Sequence, residues 1–164
     1  MASWGDFVVQ AAATLLGVMW GIPIALWLNK QYSLFKKSEE RRILINFLSE
    51  NLKDNLRLIE DMALPFTGNN VVFFNLNLGA WSLFSQKIYL IDDLDLQRKI
   101  LSIYYKLEHF SRKVDRQFEM HYSSFRAMRN YGEERAALVQ SILLQISPIK
   151  EEINEILKQL STLK

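Results

Sequence analysis

The stretch FVVQAAATLLGVMWGIPIALWL, residues 7–28, contains no charged side chain and decides the architecture of the chain. A helix of this length is about 33 Å long, which matches a hydrocarbon core of about 30 Å. Its ten Leu, Ile, Val and Phe side chains favour membrane insertion by roughly 3 to 6 kcal/mol. The stretch therefore predicts a transmembrane helix over residues 7–28 that follows a short extracytoplasmic segment, residues 1–6.

Two other kinds of segment can contain a long apolar run, namely the core helix of a soluble protein and a cleaved signal peptide. Soluble cores rarely contain so long an apolar run. The preceding segment, MASWGD, lacks the basic residues of a signal peptide, and Ala25-Leu26-Trp27 is a poor cleavage site. We therefore expect a retained membrane anchor.

Basic residues lie on only one side of this anchor. All twenty Lys and Arg residues follow Leu28, and the first five are Lys30, Lys36, Lys37, Arg41 and Arg42. Positively charged flanks stay in the cytoplasm. The sequence therefore predicts a single-pass protein of the inner (plasma) membrane, with its N-terminus outside and residues 29–164 in the cytoplasm.

The anchor also carries a stripe of small residues, which recur at every fourth position: Ala13, Gly17, Gly21 and Ala25. Small side chains on one helix face let two backbones approach closely, so that van der Waals packing drives association in lipid. The stripe predicts that the anchors pack together and that the protein is a homo-oligomer, although Gly and Ala are also common in membrane helices by chance.

The part of the chain after the anchor has the composition of one ordinary cytoplasmic domain. Twenty basic and seventeen acidic side chains follow Leu28, giving a net charge of +3. This excess suits a position near a lipid bilayer but does not indicate binding to a nucleic-acid polymer. The absence of cysteine excludes disulfides, thiolate metal sites and cysteine nucleophiles.

Helical spacing dominates residues 29–164. Residues 33–64 place apolar side chains on one stripe, which consists of Leu44, Leu48, Leu52, Leu56 and Ile59. No strong helix breaker lies between Leu28 and Ser38, so the membrane helix can continue into this helix, which Pro65 and the following Thr-Gly-Asn-Asn run should stop.

The remaining elements are less uniform. Residues 71–78 fit a short strand, a loop or the start of a helix, and we favour a loop that leads into a helix through Leu78-Gly79-Ala80-Trp81 to Lys87. The acidic group Asp92, Asp93 and Asp95 predicts the N-terminus of a helix that runs to Arg129.

A turn at Asn130-Tyr131-Gly132 and a last helix from Glu133 to Leu163 complete the expected order, with Ser147-Pro148 either kinking that helix or starting a new one. The whole pattern predicts an all-α chain, in which an N-terminal transmembrane helix precedes a cytoplasmic antiparallel bundle of three to four helices.

Motifs for catalysis, cofactors and metals are missing from the sequence. His109 and His121 are twelve residues apart, which separates them by about 120° around a helix, so they cannot share a metal. No phosphate-binding glycine loop or serine elbow occurs. We therefore expect no catalytic residue, no metal site and no cofactor, and we predict that the protein is not an enzyme.

Two groups of polar residues leave alternatives open. Residues 98–135 carry nine basic and five acidic side chains, and the stripe of Tyr105, His109, Arg112 and Arg116 could bind a phosphate-bearing ligand. The other interpretation of that stripe is a solvated face with intrahelical ion pairs. Asn51 and Asn55, one turn apart, either face solvent or form a buried contact that sets the register of the bundle.

The arrangement GIPIALWLNK (residues 21–30) followed by SENLKDNLRLIE (residues 49–60) resembles a group of small uncharacterised bacterial proteins with one membrane helix and a cytoplasmic helical region. Those proteins often also contain a tryptophan like Trp81 and a tyrosine-rich helix like residues 101–110. They often show a Glu-Leu-x-x-Asn-like spacing after the anchor, whereas Glu50 of this chain is followed by Asn. Some members resemble parts of phage-defence gene sets.

Two functions follow as expectations. The first is a membrane-anchored, self-associating module that recruits or senses a cytoplasmic protein partner. The alternative, which the resemblance and the basic stripe imply together, is a phage-defence-type membrane effector that a nucleotide-like ligand triggers.

Overall fold

A computed structural model describes residues 4–66, 75–79, 81–122 and 131–163, and within these ranges the chain is helical with no strand. The elements are α1 (Trp4–Phe66), α2 (Trp81–Phe84), a 3₁₀ helix (Ser85–Leu90), α3 (Leu94–Tyr122) and α4 (Tyr131–Ser161). The predicted all-α class is confirmed. The chain divides into two units, residues 1–40 and residues 41–164.

The first unit consists of the apolar part of α1, in which residues 7–39 are all exposed. Among the described residues, this helix is long and apolar enough to cross a membrane by its length and composition. The prediction that helical structure continues past Leu28 is confirmed, because α1 extends without interruption to Phe66. The helix ends at Phe66, one residue beyond Pro65, where the sequence predicted its end.

The second unit has one hydrophobic core, to which the later part of α1, the 81–91 region, α3 and α4 all contribute. The stripe predicted for α1 is largely confirmed: Leu44, Leu48, Leu52 and Ile59 are buried, and Leu56 is partly buried. These side chains recur at helical spacing, so burying them on one face stabilises both the helix and the bundle. The other buried aliphatic side chains of the core include Ile100, Ile103, Leu107, Val114, Ile142, Ile146, Ile149, Ile153, Ile156 and Leu160.

Ion pairs at the surface connect the elements of this unit. They are Arg41–Asp92 (2.6 Å), Lys150–Glu60 (2.9 Å), Lys99–Glu155 (2.9 Å) and Lys106–Glu152. Exposed pairs of this kind contribute about 0 to 1 kcal/mol each. The hydrophobic core therefore supplies most of the stability of this unit, and the ion pairs mainly favour one alignment of the helices along each other.

The N-terminus of α3 has the acidic cap that the sequence predicts. Asp93 Oδ1 accepts hydrogen bonds from the backbone N–H groups of Asp95 (2.9 Å) and Leu96 (3.0 Å). These two N–H groups have no partner inside the helix, and the carboxylate satisfies them. The helix was expected to reach Arg129, but residues 123–130 lie outside the described part of the chain.

Two local predictions are wrong. Tyr131 and Gly132 were expected in a turn, but they form the first turn of α4. The segment expected to form one helix through Leu78-Gly79-Ala80-Trp81 to Lys87 is instead, from Trp81 onward, a single α-helical turn followed by a 3₁₀ helix.

The alternative in which a new helix starts at Ser147-Pro148 is also wrong, because Pro148 lies inside the continuous helix α4. Proline supplies no N–H for the carbonyl of Leu144 and costs about 3 kcal/mol in a helix interior. The Ile side chains on either side of it are buried on one face, and this burial offsets the cost. The Ser147 hydroxyl lies 3.2 Å from Glu151 Oε1 and does not act as a cap.

Candidate functional site

The small-residue stripe of the first unit lies on an open helix surface. Ala13, Gly17, Gly21 and Ala25 are all exposed. A Cβ atom added at either glycine would have no other atom within 4 Å outside its immediate helix surroundings. Nothing in the described part of this unit therefore requires glycine at these two positions.

The four residues predicted to hold an anionic ligand divide between two surface depressions. Tyr105 and His109 line a groove of about 250 Å³ between α3 and α4, with Gln145 and Pro148 on its other side. The arginines line a separate depression of about 470 Å³, whose lining residues are Arg112, Asp115, Arg116, Glu119, Met120 and Glu134. All four residues therefore lie on α3, but they do not form a single pocket.

Carboxylates surround the two arginines. Arg112 Nη2 lies 2.6 Å from Glu108 Oε1, one helical turn away, and both side chains are well exposed. Three further acidic residues line the same depression as Arg116. This is the intrahelical ion pairing of the second interpretation, and it reduces the positive potential available to a phosphate.

The alternative that leaves Asn51 and Asn55 facing solvent is wrong, because both side chains are buried. They form a hydrogen-bonded network with Tyr104 and with the backbone of Asn77. Tyr104 Oη donates to Asn51 Oδ1 (2.7 Å), which also accepts from Asn55 Nδ2 (3.1 Å). The backbone N–H of Asn77 donates to Asn55 Oδ1 (2.8 Å), and Asn51 Nδ2 donates to the carbonyl of Asn77 (3.0 Å).

This network holds the segment before α2 against α1 and α3. The side-chain amides of the two asparagines bind both the backbone N–H and the backbone C=O of Asn77, the two groups that a neighbouring β-strand would otherwise bind. The ring of Trp81 stacks on Tyr104 with centroids 4.0 Å apart and planes 4° from parallel. Phe47 of α1 and Phe84 of α2 also stack, with centroids 3.7 Å apart. The connection to α2 is thereby fixed by both polar and aromatic contacts.

Burial raises the pKa of Tyr104 well above its ordinary value. Below about pH 10 the phenol keeps its proton in both the folded and the unfolded chain, so this group adds no pH dependence. Above about pH 10 only the unfolded chain ionises, and the free energy of unfolding falls by up to about 1.4 kcal/mol per pH unit.

We expect Tyr104→Phe to be less stable than the native chain at about pH 8, by about 1 kcal/mol, because the hydrogen bond to Asn51 is lost. The difference should shrink above about pH 10 and disappear near pH 11, since phenylalanine does not ionise. Urea unfolding of the full chain in detergent at both pH values measures this convergence. The control Tyr105→Phe changes an exposed tyrosine and should follow the native curve, whereas a constant gap for Tyr104→Phe would contradict the assigned pKa shift.

A third buried carboxamide lacks such partners. Gln117 of α3 is 0% exposed, and neither its Nε2 nor its Oε1 has a hydrogen-bond partner. An unsatisfied buried amide costs about 1 to 3 kcal/mol. In the described part of the bundle, the carboxamides of Asn51 and Asn55 are thus satisfied by hydrogen bonds, whereas that of Gln117 is not.

Neither the geometry nor the comparisons assign a chemical reaction to these sites. Among the described residues, no group of three or more His, Asp or Glu side chains could hold a metal ion. Comparisons of the chain with known protein families, with curated proteins and with solved structures found no match. The resemblance to small bacterial single-pass proteins therefore stays a prediction.

Proposed function

We propose that the protein is a membrane-anchored, self-associating helical module that recruits or senses a cytoplasmic protein partner. The observation that carries this proposal is the exposure of every side chain from residue 7 to residue 28. A continuous apolar surface of this size marks a membrane or protein contact in a folded protein, and its length matches a bilayer. The basic residues that follow the anchor support an orientation in which residues 29–164 lie in the cytoplasm, next to the inner (plasma) membrane.

Self-association is supported by the two glycines of the anchor. Because a Cβ atom added at Gly17 or Gly21 would meet no other atom within 4 Å, these two positions leave an open surface on which another helix can pack. The GxxxG step that they form brings two backbones into close contact. We propose that the anchors pack through the face of Ala13, Gly17, Gly21 and Ala25.

We expect Gly17→Leu/Gly21→Leu to weaken association of the full chain in detergent by about tenfold or more, because the bulky side chains separate the two backbones. Analytical ultracentrifugation at several protein-to-detergent ratios measures the effect. The matched control is Ala12→Leu, which adds bulk on nearly the opposite helix face and should leave association unchanged. A native chain that is monomeric at all ratios would remove the claim of self-association.

The bundle is the part of the proposed module that meets the cytoplasmic partner. Its antiparallel packing is supported by two ion pairs, in which Lys99 and Lys106 of α3 contact Glu155 and Glu152 of α4. The groove beside them exposes Tyr105, whose side chain is 73% exposed. Exposed aromatic residues are frequent at interface centres.

Capture of partners from intact membranes should therefore fall for Tyr105→Ala but not for Lys53→Ala.

The alternative, a phage-defence-type effector triggered by a nucleotide-like ligand, stays a prediction that no feature of the site favours. Arg112 is already paired with Glu108, and carboxylates line the depression next to Arg116. Nucleotide binding by the native chain, lost in Arg112→Ala/Arg116→Ala, would revive it.

A further inference from the structure

The helix segment directly after the apolar run, residues 27–37, repeats one apolar and one basic side chain at a fixed spacing. Trp27 lies three residues before Lys30, and Leu34 lies three residues before Lys37. All four residues belong to α1. A separation of seven residues returns to the same helix face within about 20° and advances about 10 Å along the axis. The two lysines therefore form one line on the helix, next to the line of the two apolar side chains.

These side chains have no partner within their unit. Trp27 is 60% exposed and Leu34 is 52% exposed. The described part of residues 1–40 contains no ion pair that involves Lys30, Lys36 or Lys37. Residues 7–38 include these three lysines and no acidic residue. Residues 27–38 thus carry three lysines and no acidic residue beside exposed apolar groups, and Glu39 and Glu40 follow them.

The positions of the lysines match the depth of a lipid headgroup layer. Lys30 lies two residues beyond Leu28, about 3 Å along the helix, and Lys37 lies about 14 Å beyond it. The headgroup layer is about 5 to 8 Å thick, and charge acts over a further 8 Å or so at physiological ionic strength. Tryptophan prefers this interface, and a lysine stem can lie along apolar surface while its ammonium reaches a phosphate.

We propose that residues 27–37 form a binding surface for anionic phospholipid headgroups, in which the three lysines contact the phosphates and Trp27 and Leu34 occupy the boundary with the acyl chains. This inference rests on the proposed function, since it requires the anchor to lie in a bilayer. The charge identifies the occupant, because zwitterionic headgroups supply no net attraction for three cations. Each lysine near an anionic surface contributes about fivefold in affinity, so the preference should reach about tenfold or more.

The test uses the full chain in nanodiscs of equimolar phosphatidylglycerol and phosphatidylcholine. Native mass spectrometry after mild release counts the lipids that each chain retains. The native chain should retain phosphatidylglycerol over phosphatidylcholine by about tenfold or more, and Lys30→Gln/Lys36→Gln/Lys37→Gln should lose this preference. The matched control, Lys53→Gln/Arg98→Gln/Lys158→Gln, removes three exposed cations from the second unit and should retain it.

Equal retention of the two lipids by the native chain would overturn the inference while leaving the anchor intact. Loss of the preference in the control variant as well would also overturn it, since the effect would then reflect overall charge. A chain that does not enter these nanodiscs would refute the anchor itself and this surface with it.

Discussion

Asn55→Leu is expected to lower the free energy of unfolding of the bundle by about 3 kcal/mol. The side chain is 0% exposed, so leucine fits a buried position, but it supplies neither an acceptor for the backbone N–H of Asn77 nor a donor for Asn51. The buried Asn51 would then lose one hydrogen bond, and the N–H of Asn77 would lose its acceptor. Thermal unfolding of the full chain in detergent, followed by near-ultraviolet circular dichroism of the Trp81–Tyr104 stack, should show a midpoint about 10 °C lower.

Gln117→Met provides a matched control for this prediction. Gln117 is also a fully buried carboxamide, but neither of its polar atoms has a hydrogen-bond partner. Replacing it with an apolar side chain of similar length should leave stability unchanged or raise it by about 1 kcal/mol. Equal losses for Asn55→Leu and Gln117→Met would mean that burial alone, rather than the hydrogen-bonded network, determines the cost.

Leu16→Asp/Val18→Asp is expected to abolish membrane integration. An aspartate at the centre of a transmembrane helix costs about 2.5 to 3.5 kcal/mol, so two cost about 5 to 7 kcal/mol. This penalty is about as large as the roughly 3 to 6 kcal/mol that the apolar residues of the anchor supply, and the substitutions also remove two of those residues. Alkaline extraction of membranes should leave the native chain in the pellet and release the variant.

The exchange variant Leu16→Val/Val18→Leu keeps the composition of the anchor and should remain in the pellet. Far-ultraviolet circular dichroism of the released aspartate variant distinguishes loss of insertion from loss of folding. Retention of both variants would show that residues 7–28 do not carry the membrane attachment.

Local patterns in the sequence predict the long helices well because each pattern acts within a few residues. The apolar stripe of α1 follows from side-chain spacing alone, and the cap of α3 follows from three aspartates at its start. The early part of α1 was equally predictable, since 22 residues without charge have few alternatives to a membrane span.

The polar network was only partly predictable. Asn55 lies seven residues after Leu48 and therefore on the same helix face, which is a signal that the asparagine is buried. The distant members of the network could not be read from the sequence, because Asn77 lies 22 residues from Asn55 and Tyr104 lies 53 residues from Asn51, beyond a connection with no clear periodicity. Long-range contacts of this kind depend on the whole bundle rather than on local spacing.

The errors in α4 have a common cause. Glycine and proline often interrupt helices, so the sequence predicted an interruption at Gly132 and at Pro148. In the bundle, however, the buried face of Ile142, Ile146, Ile149 and Ile153 favours one continuous helix. Tertiary packing therefore outweighs the local preference of a glycine in the first turn and a proline in the middle.

Fractionation of cells that produce the full, untagged chain is the most direct test of the anchor. Membranes are washed with high salt and alkaline carbonate and are then floated in a density gradient without detergent. The account predicts that the chain floats with the lipid, because residues 7–28 cross the hydrocarbon core. A chain that stays at the bottom of the gradient as a monodisperse water-soluble protein would contradict it.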